Sequence, residues 1–168
     1  MSMRGRAVLI AQHDVDTDVL YPGSFLNITD VEQMADHLFE GLDPSLRGRL
    51  GGDTVLVVGS NFGCGSSREH VPQAMHASGI RFLVGVSFAR IFYRNCVNLG
   101  LPAVVSPEAV AAATDDAVVE LDLDGGSVVV DGARFAITPV PPFMREIFAT
   151  GGLEGWVAGK LDATTVVG

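Results

Sequence analysis

One short stretch of the chain combines residue types that can bind an anion. Residues 61–70 read NFGCGSSREH, with Gly63 and Gly65 immediately before two serines. Arg68 follows, and its guanidinium can hold a carboxylate through two parallel hydrogen bonds. A Gly-rich turn at the start of a helix also directs backbone N–H groups at an anion. The stretch therefore predicts an anion site that contains a hydroxyl group.

Secondary-structure elements on both sides must hold this stretch in place. An apolar strand is predicted before it and a helix after it, over residues 71–77. The other predicted elements are strands at 6–11, 54–58, 80–86 and 102–105, helices at 88–99, 108–113 and 143–149, and an antiparallel meander between 118 and 137. We therefore expect a single α/β domain over residues 1–168, with a mixed sheet and flanking helices.

Three further segments complete the predicted outline. Thr29 and Glu32 match a capping box, which predicts a helix N-terminus at Thr29. Residues 43–52 are expected to form a loop, and residues 155–160 a single further helical turn.

Common fingerprints of Gly-rich turns do not fit residues 61–70. A dinucleotide-binding turn needs a third glycine where Arg68 stands, and a nucleophile elbow needs glycines two residues on either side of Ser66. In an alternative reading, Ser66 and Glu69 form a capping box for the following helix. That reading leaves Arg68 unexplained, because a positive charge in the first turn opposes the helix dipole. An anion site accounts for both the serines and the arginine.

Three carboxylates lie upstream, at Asp14, Asp16 and Asp18. A calcium-binding EF-hand loop has similar spacing, but its glycine and its final glutamate are missing here. We interpret these carboxylates as turn formers after the first strand.

Composition and charge argue against several classes of function. The net charge is −9, which argues against nucleic acid or an anionic membrane as a partner. No apolar run approaches the roughly 20 residues of a membrane helix. The N-terminal apolar stretch is too short for a signal peptide, so we expect a cytoplasmic protein. Cys64 and Cys96 are too few for an iron–sulfur cluster, so we expect no metal or cofactor on this chain.

Residues 61–70 closely resemble the signature of the 3-isopropylmalate dehydratase small subunits, in the aconitase superfamily. Two further segments resemble motifs of that family, in the family's order: DVDTDVLYPGSFL over 14–26 and SFARIFYRN over 87–95. The resemblance implies the swivelling β/β/α domain of the aconitase type. It also implies a separate large subunit that carries a [4Fe-4S] cluster, in a heterodimer or a heterotetramer, which agrees with the low cysteine count.

The resemblance also implies roles for residues of this chain. Ser66 is expected to be the base that moves the substrate proton, while Ser67 and Arg68 bind a substrate carboxylate. A serine hydroxyl is a very weak acid, so this role requires groups that stabilise its alkoxide, such as backbone N–H groups and Arg68. Gly63 and Gly65 are expected to support the turn.

Substrate choice is expected to depend on the loop over 24–29, where relatives acting on homoaconitate or citrate-like substrates present an arginine. Asn27 stands at the corresponding position and Ile28 follows it. An uncharged residue beside an apolar one suits a branched alkyl group, which favours isopropylmalate. Dimethylmalate or citraconate remain alternatives, and homoaconitate is less suitable. The other reading of Asn27 is a simple turn former.

Arg90 and Arg94 share a helix face because they are four residues apart. One of them is expected to support the site or a subunit interface. Cys64 is interpreted as a small packed residue, since no base is identifiable beside it. The chain is thus expected to be a hydro-lyase subunit that is inactive alone. The competing hypothesis is a non-catalytic module that binds dicarboxylates.

Overall fold

The computed structural model describes residues 1–166 of the chain. In chain order its strands are Ser2–Ile10 (β1), Thr54–Val58 (β2), Ile80–Gly85 (β3), Ala103–Val105 (β4), Val118–Asp122 (β5), Ser127–Val130 (β6) and Ala133–Ala136 (β7). Its α-helices are Thr17–Leu20 (α1), Val31–Ala35 (α2), His70–Ala77 (α3), Arg90–Leu99 (α4), Pro107–Ala112 (α5), Pro142–Ala149 (α6) and Leu153–Val166 (α7). Short 3-10 helices lie at Gly23–Phe25 and Pro44–Arg49.

The strands form a mixed sheet in the order β4-β3-β2-β1-β5-β6-β7. Neighbouring strands from β4 to β1 are parallel, whereas the pairs from β1 through β5 and β6 to β7 are antiparallel. The sheet is curled, so that its two ends approach each other. The N–H of Thr138, beyond β7, donates to the carbonyl oxygen of Val105 in the opposite edge strand over 2.9 Å. The predicted α/β class, the mixed sheet and the meander are confirmed.

Strand β2 shows why the chain adopts this layered arrangement. All five of its residues are buried, as expected for a parallel strand with helices on both faces. Leu56 and Val58 pack into one core with residues of α2, α3 and α4. Val55 and Val57 point to the opposite face and pack into a second core with residues of α5 and α6. Because side chains alternate along β2, this strand contributes residues to both cores.

Three adjacent parallel strands, β1, β2 and β3, end at the same edge of the sheet. The loops that follow them contain residues 11–16, 59–69 and 86–89. Ligand sites of open α/β sheets lie at this carboxyl edge. The topology therefore gathers the three segments that the sequence singled out.

Several predicted boundaries are wrong. Asp30, rather than Thr29, caps α2, since its Oδ1 accepts a hydrogen bond from the N–H of Glu32 over 2.9 Å. The predicted loop over 43–52 contains the 3-10 helix Pro44–Arg49, whose N-terminus is capped by the preceding aspartate. Strand β1 begins four residues earlier than predicted, because residues 2–6 pair with β5.

The largest difference concerns the C-terminal segment. Residues 155–160 were predicted to form one helical turn, but they belong to the 14-residue helix α7. Gly155 and Gly159 lower the helix propensity of this segment. Packing of Trp156 against the second core outweighs that cost. Within residues 1–166, no helix is long and apolar enough to cross a membrane.

Candidate active site

Asn61 links the three loops at the carboxyl edge of the sheet. Its side-chain Nδ2 donates to Oδ1 of Asp14 over 2.9 Å. Its backbone N–H donates to Oγ of Ser87 over 2.8 Å. The left-handed backbone of Asn61, with a φ of 51°, is one that asparagine tolerates better than most residues. The segments over 14–26, 61–70 and 87–95 therefore meet at one place.

The hydroxyl group of Ser66 lies between a guanidinium and a carboxylate. Nε of Arg68 donates to Ser66 Oγ over 3.2 Å, and Ser66 Oγ donates to Oδ1 of Asp18 over 3.3 Å. Nη2 of Arg68 lies 2.5 Å from the same carboxylate oxygen. A cation beside the hydroxyl oxygen stabilises an alkoxide, and a carboxylate can accept the hydroxyl proton. The arrangement is suited to proton transfer.

The guanidinium of Arg68 is fixed on three sides. Besides its contacts with Ser66 and Asp18, its Nη1 donates to the carbonyl oxygen of Tyr21 over 2.7 Å. Only 14% of the side chain is exposed. A Cβ atom on Gly23 would lie 3.4 Å from Nη2, so the loop that starts at this glycine passes close to Arg68. A guanidinium held in this way is oriented before any ligand binds, which lowers the entropic cost of binding.

Thr17 fixes the backbone around Ser66 through hydrogen bonds. Its side chain is buried, and its Oγ1 donates to the carbonyl oxygen of Ser66 over 2.8 Å. Its backbone N–H donates to the carbonyl oxygen of Cys64, also over 2.8 Å. A β-bridge between Asp16 and Cys64 runs beside these contacts. The start of α1 therefore fixes the backbone that carries the serine.

Gly63 and Gly65 occupy places that a side chain would not fit. Both have left-handed backbones, with φ of +82° and +92°, which cost a residue with a Cβ atom free energy. A Cβ on Gly63 would lie 2.3 Å from Cγ of Phe92, and one on Gly65 would lie 2.5 Å from Oδ2 of Asp16. Sterics therefore give both glycines a role in shaping the turn.

Ser66, Ser67 and Arg68 line a pocket of about 240 Å³, together with Arg90 and Asn95 of α4. Sites for drug-sized ligands usually occupy roughly 300–1,000 Å³. This pocket is smaller, and both serines are exposed at its surface. The geometry suits a small anionic molecule.

The capping-box reading of Ser66 and Glu69 is wrong. Helix α3 begins at His70, and no side chain caps its N-terminus. The Ser66 hydroxyl instead contacts Arg68 and Asp18. Among the described residues, the backbone N–H groups of Ser66, Ser67 and Arg68 donate no hydrogen bond to another backbone group. These N–H groups are available to an anion.

Three predicted site residues lie apart from this pocket. Asn27 is exposed in the turn after Gly23–Phe25, and Ile28 packs against the first core. Arg94 is exposed on α4 and does not line the pocket, whereas Arg90 does. The structure thus brings Ser66, Ser67, Arg68, Gly63, Gly65 and Arg90 together, and it places Asn27, Ile28 and Arg94 elsewhere.

Neither cysteine is placed for nucleophilic or cluster chemistry. Burial and the nearby carboxylates of Asp16 and Asp14 raise the pKa of the Cys64 thiol. Cys96 is fully buried in the first core, and this burial raises its pKa well above the usual range. Over residues 1–166, no group of three or more His, Cys, Asp or Glu side chains could hold a metal ion. Two cysteines in these positions do not supply the thiolates that an iron–sulfur cluster normally takes.

Sequence reasoning missed Asp18 and Thr17. Asp16 does act as a turn former, since its Oδ1 accepts from the N–H of Asp18 over 2.6 Å. The side chain of Asp18, however, reaches Arg68 and Ser66, 48 residues or more along the chain. The available signal was the resemblance over residues 14–26, which marks the whole segment without distinguishing the residues within it.

Comparisons with known proteins identify the family of the chain. Residues 47–108 match the family model of the aconitase C-terminal domain. The chain is 46% identical to the 3-isopropylmalate dehydratase small subunit of Moorella thermoacetica, covering 90% of this chain and 93% of that protein. It is 42% identical to the 2,3-dimethylmalate dehydratase small subunit of Eubacterium barkeri, covering 86% of this chain and 90% of the relative.

A solved structure gives the same result for the fold. The crystal structure of 3-isopropylmalate dehydratase from Methanocaldococcus jannaschii superimposes with a TM-score of 0.92 at 35% identity, covering 100% of both chains. The swivelling domain of the aconitase type, expected from the sequence, is therefore confirmed. The extent of these matches is decisive: the chain belongs to the 3-isopropylmalate dehydratase small-subunit family of the aconitase superfamily.

Proposed function

We propose that this chain is the small subunit of a heteromeric hydro-lyase that interconverts 2-isopropylmalate and 3-isopropylmalate in the cytoplasm by dehydration and rehydration. The chain is inactive alone and acts as one domain, over residues 1–168, with a large subunit that carries a [4Fe-4S] cluster. The observation that carries the proposal is the position of the Ser66 hydroxyl between Arg68 and Asp18. Relatives named as small subunits of such dehydratases support the reaction class.

Ser66 removes the proton from the carbon beside a substrate carboxylate. The serine oxygen first gives its own proton towards Asp18, which lies 3.3 Å away, while Nε of Arg68 stabilises the negative charge on that oxygen. The alkoxide then takes the substrate proton, and the electron pair of the broken C–H bond enters the new C=C bond. In rehydration the same groups return the proton, as microscopic reversibility requires.

Arg68 and Ser67 hold the substrate carboxylate that lies next to this carbon. Nη2 of Arg68 already binds one carboxylate, that of Asp18, so a substrate carboxylate competes with Asp18 for the guanidinium. The unused N–H groups of residues 66–68 supply further donors to an anion at the same end of α3. Arg90, which also lines the pocket, adds positive charge to a chain whose net charge is −9.

The large subunit supplies what this chain lacks. Ser66 and Ser67 are exposed, and a proton-transfer site open to bulk water loses the electrostatic benefit of a dry environment. A second chain that covers the pocket restores that environment. We assign the [4Fe-4S] cluster and the departure of hydroxide to this second chain, because the residues described above do not fit a cluster.

The loop over residues 24–29 is proposed to select the substrate's alkyl group. It begins beside Arg68, because Gly23 lies against that guanidinium. Asn27, one of the exposed residues of this loop, and the half-buried Ile28 remain the proposed contacts. A dimethylmalate substrate is the second candidate, since the 2,3-dimethylmalate dehydratase small subunit is 42% identical to this chain.

Reconstitution tests the proposal. The purified chain is mixed with the cluster-loaded large subunit from the same organism and assayed with 3-isopropylmalate, 2,3-dimethylmalate, citraconate and homoaconitate. We expect no turnover by the chain alone, and the highest kcat/KM of the pair with 3-isopropylmalate. A higher value with dimethylmalate selects the second candidate. Binding of dicarboxylates without turnover by any pair would support a non-catalytic module and overturn the proposal.

A further inference from the structure

We propose that the large subunit docks on a continuous surface that runs from the Ser66 pocket along α4 to the outer face of α7. We call it the α4–α7 surface, and we define it by Ile91, Asn95, Asn98 and the exposed side chains of α7. The inference rests on the proposed function, because it assigns a place to the partner that the function requires. Beyond its end at the Ser66 pocket, the surface consists of residues to which the proposed function gives no role.

Three cavities share lining residues along this surface. Asn95 lines both the Ser66 pocket and a neighbouring cavity of about 370 Å³. Asn98 and Glu154 line that second cavity and also a third, of about 480 Å³, beside α7. Ile91, Asn95 and Asn98 lie on one face of α4, at the i, i+4 and i+7 positions. The concave surface is thus continuous from the proposed proton-transfer site to the C-terminal helix.

The outer face of α7 presents an apolar stripe. Leu153, Val157 and Leu161 follow one another at four-residue intervals, which places them on one side of the helix. Their exposed fractions are 38%, 42% and 63%. Aliphatic side chains gathered on one face in this way typically mark a binding surface. The stripe lines the third cavity.

Helix α7 is anchored to the body of the domain through Trp156, the one residue among 153–165 that is not exposed. Trp156 packs against the second core, and its Nε1 donates to Oε2 of Glu146 on α6 over 3.0 Å. Lys160 reaches the same carboxylate over 3.4 Å and lies over the indole ring. These contacts hold the N-terminal half of α7 to the domain before docking, which lowers the entropic cost of binding there.

Charge and position favour the large subunit over a second copy of this chain. Glu69 and Glu154 line the middle of the surface. A two-fold self-association would bring this same patch of two chains together, each with a net charge of −9. The surface also opens into the Ser66 pocket, which the large subunit must cover. The partner is thus expected to offer an apolar ridge flanked by basic side chains.

The affinity of the two subunits tests the inference. The double variant Val157→Glu/Leu161→Glu places two charges on the stripe, and Leu161→Ser is a milder change. We expect the double variant to bind the large subunit at least about 100-fold more weakly, because two apolar contacts are lost and two charges are buried. At saturating large subunit, kcat should stay within about twofold of wild type, because α7 does not touch the reacting groups.

Val31→Glu is the matched control. Val31 is 44% exposed, close to the 42% of Val157; it is the first residue of α2 and lines none of the three cavities. This variant should bind the large subunit with wild-type affinity. Circular dichroism and thermal unfolding of each variant establish that the fold is intact before affinities are compared.

Several results would overturn the inference. One is an affinity of the double variant within threefold of wild type, while the wild-type pair is active; the proposed function would then stand without this surface. Another is an equal loss of affinity in Val31→Glu. A third is a wild-type dimer that becomes monomeric in the double variant with unchanged affinity for the large subunit. Conversely, tight binding through α7 without turnover of any malate would support the surface and contradict the proposed function.

Discussion

Thr17 donates its hydroxyl hydrogen to the carbonyl oxygen of Ser66 over 2.8 Å, although the two residues are 49 positions apart in the chain. This contact fixes the backbone of the proposed base against the first residue of α1. The side chain of the next residue, Asp18, reaches the Ser66 hydroxyl and Arg68. One helical turn of α1 therefore positions both the backbone and the hydroxyl of the serine.

Replacing Thr17 with valine should disturb the site with little change in shape. Thr17→Val leaves the carbonyl oxygen of Ser66 without its donor, a loss of about 1–3 kcal/mol in the free energy of unfolding. Since Ser66 then loses part of its positioning, we expect kcat to fall at least about fivefold. Thr17→Ser keeps the hydroxyl and should recover most of both losses. Chemical denaturation and steady-state assays of the reconstituted pair measure the two effects. Equal behaviour of the two variants would exclude a role for the hydrogen bond.

Removing the charge of Asp18 should lower both KM and kcat, for two different reasons. Asp18→Asn leaves Arg68 without its ion-pair partner, so a substrate carboxylate meets less competition. We expect KM to fall about twofold to fivefold, within the range of exposed ion pairs. The same variant removes the acceptor of the Ser66 proton, so kcat should fall at least about tenfold. Glu32→Gln, which removes an exposed charge on α2, should change neither. If Asp18→Asn lowers kcat without lowering KM, the competition for Arg68 is refuted.

Substitutions of Gly63 and Gly132 should distinguish the cost of a steric clash from the cost of a strained backbone. Both have left-handed backbones, with φ of +82° and +87°, but a Cβ meets Phe92 at Gly63 and nothing within 4 Å at Gly132. Gly132→Ala should cost about 1 kcal/mol in the free energy of unfolding. Gly63→Ala should cost about 3 kcal/mol or more, because strain and overpacking add. Urea unfolding of both variants measures the difference, and equal losses would show that Phe92 moves aside freely.

The thiol of Cys64 should titrate above the range of a free cysteine. Burial, with Asp16 and Asp14 nearby, raises its pKa, so at any given pH its thiolate fraction is lower than that of an unperturbed thiol. We expect the rate of alkylation by iodoacetamide to reach half its maximum at a pH above about 8.5. Asp16→Asn keeps a side chain able to cap α1 and should lower that midpoint. Peptide mass spectrometry follows the modification of Cys64, and a midpoint below that of free cysteine would contradict the burial argument.

Local patterns predicted much of the fold, and they failed where distant contacts decide the outcome. The β2 boundaries were correct because Thr54 and the four consecutive apolar residues that follow it describe a strand buried on both faces. The length of α7 was missed, because Trp156 and its contact with Glu146 stabilise a segment that contains two glycines. Sequence spacing cannot report such contacts.

For the site, too, residues adjacent in sequence were predicted and a residue brought in by the fold was missed. Ser66, Ser67 and Arg68 are adjacent in sequence, so their gathering in one pocket followed from the motif. Asp18 reaches them only because β1 and β2 are parallel neighbours whose carboxyl ends coincide. The spacing of Asp14, Asp16 and Asp18 did not indicate which of these side chains would contact the serine.

The central claim, that Ser66 is the base, is tested most directly by the kcat of Ser66→Ala in the reconstituted pair. Ser67→Ala is the matched control, because it removes a neighbouring hydroxyl that is proposed to bind the carboxylate, and it should act mainly on KM. Association with the large subunit should be unchanged in both. The account predicts that Ser66→Ala lowers kcat at least about 1,000-fold. A kcat within tenfold of wild type, with the variant folded and bound to its partner, would contradict it.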